Sequence, residues 1–205
     1  MTNDTRPDVI DEILDVRPGD RLDRVRRARP VAREQAQVAY EAIFRPAHPG
    51  ALAVAERYAV AWAVAAWTGE PGTVAHYRDR LLEVEPRAEV HAALSRVIAD
   101  GAGTGPFGRF REPGLAARST DGSRLVVGAA EVDVLGEELS ALLAHAHALT
   151  LRPREASPAL LEALTDVGWE ATEIVALSQL VAYVSFQARL VAGLRALRST
   201  WEVAA

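Results

Sequence analysis

Apolar positions recur at helical spacing along almost the whole chain, and the turn residues between the periodic stretches divide it into helices. Pro7–Val16 reads as a short amphipathic turn or helix, ended by Arg17-Pro18-Gly19-Asp20. Val31–Phe44 is a periodic stretch stopped by the loop from Pro46 to Pro49-Gly50. Ala51–Trp67 is apolar on nearly every side, broken only by Glu56 and Arg57, so a central buried helix is predicted there. Gly69-Glu70-Pro71-Gly72 then turns the chain into a more polar helix, Thr73–Val84. Pro86–Ala99 follows as an amphipathic helix with a glycine cap expected at Asp100-Gly101.

The periodicity fails from Gly101 to Ser123, where Gly, Pro and Ser occur at turn density and Phe107 and Phe110 stand among arginines. A segment of that length within one fold is expected to be an ordered crossover or flap. Leu125–Val134 fits either a short strand pair or a helix, and Glu137–Leu149 a helix. Ser157-Pro158 is a helix start with a capping hydroxyl, and Val167-Gly168 is the end of that helix. From Trp169 or Glu170 a long, mostly buried helix is expected to reach about Leu197. The fold class is therefore all-α. One domain is expected, in two halves (1–100 and 125–205) joined by a crossover at 101–124.

With 205 residues, 49% of them apolar and 25% charged, the chain has the profile of a soluble globular protein with one sizeable core. All 23 basic residues are arginine, which together with abundant Ala, Val and Leu fits the coding bias of a GC-rich bacterium. The net charge of -5 argues against general polyanion binding. Five arginines crowd Arg21–Arg29. No recognition motif accompanies them, so a solvated segment, or one paired with the acidic surface of a neighbouring subunit, is expected in preference to a nucleic-acid contact.

The absence of cysteine excludes disulfides, thiolate metal sites and thiol catalysis. MTNDTRPDVIDEI has no apolar signal-peptide core. Tyr58–Trp67 and Ile174–Phe186 are shorter than the ~20 residues that span a bilayer. A cytoplasmic location and no membrane partner are the expectation. His145 and His147, two apart on a helix, face different ways without a supporting carboxylate, so no metal is expected. GAGTGPFG lacks the Gly-Lys-Ser/Thr element of a phosphate loop and reads as a turn.

Two segments, AERYAVAWAVAAWTGEPGTVAHY and SPALLEALTDVGWEATEIVALSQLVAYVSFQARLVAGL, are helical pairs joined by glycine-containing turns. They resemble the carboxymuconolactone decarboxylase and AhpD-like alkylhydroperoxidase superfamily. The first is similar to its active-site helix, turn and His-bearing helix, the second to its closing helices. VIDEILDVRPGDRLDRVRRARP and VSFQARLVAGLRAL look like a Cys-less subfamily of it. The resemblance implies an AhpD-like bundle of duplicated helical hairpins that assembles as a homo-oligomer (dimer, trimer or hexamer).

In that pattern the two Cys positions fall on Glu70 and Thr73, the histidine on Tyr77 with His76 one before it, and the relay glutamate on Tyr58. Thiol peroxidase chemistry is thereby excluded. The Cys-less decarboxylase branch implies His76, Glu70 and Tyr77 as catalytic candidates, and Tyr58, Thr73 and Trp62 as substrate-binding ones, with no cofactor. Beside each stands a structural reading: a hydrogen-bonded His76, a solvated Glu70, tyrosines that fill space, a Trp62 packed in the core. The implied function is small-molecule binding or proton transfer of lactone decarboxylase or isomerase type. The alternative is a silent partner subunit of a CxxC-bearing AhpD-like peroxidase.

Overall fold

In the computed structural model, which describes residues 8–48 and 50–203, the described residues form nine α-helices and no strand. They are α1 (Val9–Leu14), α2 (Arg21–Arg27), α3 (Pro30–Phe44), α4 (Val54–Thr68), α5 (Pro71–Val84), α6 (Ala88–Asp100), α7 (Ala129–Leu151), α8 (Pro158–Thr165) and α9 (Ala171–Val203). The all-α expectation holds. Pro7 and Pro49, placed at the start of the first helix and in the loop after Phe44, lie outside the described residues.

The stretch without a polar face becomes the centre of the molecule. Every residue of α4 from Arg57 to Ala65 is buried, and α3, α5, α6, α7 and α9 pack around it. Arg57 survives there because its guanidinium donates to the carbonyls of Leu52 (3.0 Å) and Ile43 (2.9 Å). Helix α9, 33 residues and about 50 Å long at 1.5 Å per residue, lies across α1, α3, α4, α5 and α7. By length and composition its stretch Ala171–Trp201 is apolar enough to cross a membrane, unlike the shorter run read from the sequence. Half of its apolar window is buried inside the protein, as in a core helix.

The arginine-rich segment opens as a helix, α2, and four of its five arginines, Arg21, Arg24, Arg27 and Arg29, are exposed, as the solvated reading expects. Arg26 alone departs from it and is buried. Asp8 caps α1 by accepting from the backbone of Ile10 (3.1 Å) and Asp11 (2.9 Å). Its carboxylate and that of Asp11 then meet the buried Arg26: Arg26 Nη2 donates to Asp8, and Nε lies 2.7 Å from Asp11 Oδ1. Arg33 of α3 donates to Asp8 from Nε at 2.7 Å and to Asp11 from Nη2 at 2.5 Å. Burial would raise both carboxyls. The hydrogen bonds from Arg33 and Arg26 hold Asp8 below its ordinary value, whereas burial and the Asp8 charge keep Asp11 above it.

The neighbouring arginines are also engaged within the chain. Arg24 donates to the Gly19 carbonyl, Arg27 pairs with Asp23, and Arg21 lies over the Trp201 ring at 4.2 Å. Arg198 of α9 donates to the Leu14 carbonyl at 2.5 Å, so the last turns of α9 hold α1 and α2.

The segment 101–123 is ordered, as expected. Phe107 N donates to the Leu151 carbonyl (2.6 Å), Gly108 and Thr120 form one antiparallel bridge, and Pro113–Arg118 is a 3₁₀ turn. Between Leu125 and Val134 the open question resolves to helix from Ala129, with α7 kinked at Gly136 (φ 82°). Helix α6 ends at Asp100 with Gly101 as its C-cap, as expected; Gly101 has φ -84°, and a Cβ there would lie 2.8 Å from Trp67 Nε1. One cap expectation fails: Ser157 makes no capping hydrogen bond.

Arg26→Ala leaves Asp8 and Asp11 buried with Arg33 as their remaining cation. It is expected to cost about 3 kcal/mol, read as a lower urea midpoint at unchanged slope.

Candidate functional site

Helix α4 ends where glycine takes a left-handed conformation, Gly69 at φ 85°, and Pro71 opens α5 two residues later. Between them Glu70 is buried, at 4% exposure, and serves as the N-cap of α5. One of its oxygens accepts from Thr73 N (2.6 Å) and Thr73 Oγ1 (2.7 Å); the other accepts from Arg195 of α9 (3.1 Å). Burial would raise this carboxyl, but the Thr73 hydrogen bonds and the Arg195 charge outweigh it and lower its pKa. A Cβ on Gly72 would stand 2.5 Å from the Arg195 guanidinium, so a side chain at that position would block the pair. Glu70 and Thr73 thus clamp α5 to α9, and both carboxylate oxygens are occupied.

Tyr58, His76 and Tyr77 are brought together, around two residues of α3 that the sequence reading did not include. Tyr58 stacks on Phe44 (centroids 4.9 Å, 10° between planes), Tyr77 lies 5.2 Å from the same ring, and His76 and Tyr77 meet edge to face at 5.1 Å. His76 Nε2 lies 3.1 Å from the hydroxyl of Tyr40. Its Nδ1 is 3.9 Å from Glu12, which Arg80 holds at 2.7 Å. Tyr77, fully buried, donates to Gln187 of α9.

Burial pushes the His76 imidazole down to about 4, so it is neutral at pH 7, and pushes the Tyr77 phenol well above its ordinary range. The ring is a proton acceptor by charge state, but its side chain is only 6% exposed. Trp62 stands apart: it is buried in α4, with His91 of α6 as its ring neighbour at 5.8 Å.

A cavity of about 820 Å³ opens on the other side of the Gly69 turn. The last turn of α4 supplies Trp67 and Thr68, α9 supplies Ser178, Ser185 and Arg189, and the glycine-rich segment 103–106 and the end of α7 close it. None of Tyr58, Trp62, Glu70, Thr73, His76 or Tyr77 lines it. Arg189 is the one charged lining residue, anchored by Nη1 on the Ser185 carbonyl at 3.1 Å. The sequence held a signal for this site. Ser178, Ser185 and Arg189 follow one another at i, i+7 and i+11 on one face of an otherwise apolar helix.

His145 and His147 part company as their spacing implies. His147 Nε2 is 3.0 Å from the Gly101 carbonyl and packs edge-on to Trp67, while His145 is buried without a hydrogen-bond partner. Among the described residues no group of three potential metal ligands gathers. Comparison with family models, with curated proteins and with solved structures finds no match for this chain.

Two measurements probe the buried cluster. Tyr77→Phe strands the Gln187 amide and is expected to cost about 1–3 kcal/mol. For His76 the folded pKa lies below the ordinary 6.5, so unfolding takes up a proton as pH falls. Stability is full above pH 6.5 and declines from there toward pH 4, by about 3 kcal/mol from this residue. His76→Gln removes that part of the decline; the lowered His145 and His147 keep theirs. Chemical denaturation at pH 7.5 and 5 separates the two proteins.

Proposed function

We propose that this chain binds a small, partly apolar organic acid in the cavity beside Gly69, as a Cys-less protein of the AhpD and carboxymuconolactone decarboxylase type. One observation carries the reading: a cavity of about 820 Å³ containing a single charged side chain, the arginine Arg189. That volume lies in the range that suits a small ligand. The guanidinium fork matches a carboxylate, the Ser185 hydroxyl offers an orienting hydrogen bond while those of Thr68 and Ser178 donate to the carbonyls of Val64 and Ile174, and Trp67 and Leu151 supply apolar wall.

Binding is favoured over proton transfer because the candidate base, His76, lies outside this cavity and is almost fully shielded. Proton transfer by His76 requires a second ligand position opening between α1, α3 and α5. The cavity itself needs no such opening.

A second reading, the silent subunit of an oligomer, draws on the α8–α9 surface. Leu161, Val175 and Phe186 are 47%, 56% and 49% exposed there, beside an apolar recess lined by both helices. On this reading light scattering gives an oligomer, and the Val175→Glu, Phe186→Glu double variant gives a monomer. A wild-type monomer at concentrations of about 100 μM would remove it.

For the first reading, a panel of small cyclic carboxylates is titrated by calorimetry. Arg189→Gln is expected to weaken the best binder about tenfold or more, and Ala182→Trp, which places an indole on the cavity lining, to weaken it by at least as much. Undiminished binding by Ala182→Trp would refute the assignment.

A further inference from the structure

The ordered flap 101–123 does more than cover α7. With the turn after α7 it borders an open recess of about 440 Å³ lined by Arg109, Phe110, Arg111, Glu112, Leu115 and Arg154, together with two small residues. Its one lining residue in common with the cavity beside Gly69 is Pro153. In a chain whose acids outnumber its bases 28 to 23, three arginines converge here on a single glutamate.

Among the described residues none of these three arginines forms an ion pair. Arg124 and Arg152 close by are paired, both with Glu155, at 2.6 and 2.9 Å. Two of the three are held in place by other means. Arg111 Nη2 donates to the Ala156 carbonyl at 2.9 Å, and Arg154 Nη1 to the Pro106 carbonyl at 3.1 Å. Arg154 also lies 4.1 Å over the Phe110 ring. Each guanidinium has five N–H donors and each of these contacts uses only one, so most of the hydrogen-bonding capacity faces solvent.

The backbone beneath is fixed. The Gly108–Thr120 bridge, Phe110 N donating to Ser119 Oγ at 3.1 Å, and Arg152 donating to the carbonyls of Gly122 and Ser123 close the flap on itself and on α7. The cations are presented by an arranged loop.

We infer that this recess is a binding site for a small phosphate monoester with a planar apolar group attached. Three guanidiniums against the one carboxylate of Glu112 leave a formal charge of +2. A phosphate monoester carries about -1.5 to -2 at neutral pH and offers three acceptor oxygens, whereas a monocarboxylate, with one charge, is satisfied by a single guanidinium fork. Phe110 and Leu115 form the apolar wall for the remainder of the ligand. The site is independent of the organic-acid cavity and stands or falls separately from it.

The probes are phenyl phosphate, inorganic phosphate and benzoate, titrated into the full chain by calorimetry at low ionic strength. Phenyl phosphate is expected to saturate at one site, about tenfold or more tighter than either of the others. It should weaken as salt is raised. Arg109 and Arg111 are exposed, so Arg109→Gln and Arg111→Gln leave the fold intact; each is expected to weaken phenyl phosphate about tenfold. Arg189→Gln, in the other cavity, should leave it unchanged.

Absence of saturation overturns the inference, as does wild-type affinity in the Arg109→Gln, Arg111→Gln, Arg154→Gln triple variant. Benzoate binding as tightly as phenyl phosphate overturns the dianion assignment, and inorganic phosphate doing so overturns the planar group. A loss in Arg189→Gln would move the probe to the other cavity and likewise refute the site.

Discussion

A helix with no face for water imposes the rest of this architecture. Once α4 is apolar on every side, it has to be wrapped, and its neighbours share the covering of it. Helix α5 returns along it, α6 and α7 cover another side, and α9 runs across it. The polar groups near it are handled by local exchange. Arg57 is satisfied by carbonyls at the preceding chain bend, and Trp67 donates to the Ile98 carbonyl at 3.1 Å. The wrapping is complete along the middle of α4 and incomplete at its last turn, where Gly69 sends the chain away. The larger cavity lies at that gap.

The same turn explains why the residues that looked chemical are not those that line the cavity. Glu70 and Thr73 are consumed in holding α9; one turn further on, His76 faces Tyr40 of α3, and Tyr77 lies between Phe44 of α3 and Gln187 of α9. The opposite side of the turn, carrying the carbonyl end of α4, is left to Ser178, Ser185 and Arg189 of the crossing helix. Closing helix and opening helix therefore meet on two sides of one glycine, one packed and one open.

Much of the fold was legible because apolar periodicity and Gly-Pro punctuation are local signals, and nearly every helix here is set by them. Helix α2 was illegible for the converse reason. The partners that draw Arg26 inward, Asp8 and Asp11, lie at a different helix, and a run of arginines looks the same in sequence whether it faces water or carboxylates. The site was half legible. That the Gly69–Gly72 turn matters could be read from its residues. Which side of it stays open depends on where α9 crosses, more than a hundred residues later. The arginines of the flap showed only as charge among phenylalanines, because their convergence with Arg154 requires the return of the chain after α7.

Helices α1 and α9, far apart in sequence, are bound to each other: Arg198 holds the end of α1, and Arg21 rests on Trp201. During synthesis the opening segments are made long before the helix that secures them has left the ribosome. The aspartate–arginine cluster of α1, α2 and α3 can assemble early, but its docking surface does not exist until the last turns of α9 emerge. Closure of the native state thus comes late, and the apolar flank of α4 waits for its cover while every intervening helix is being made.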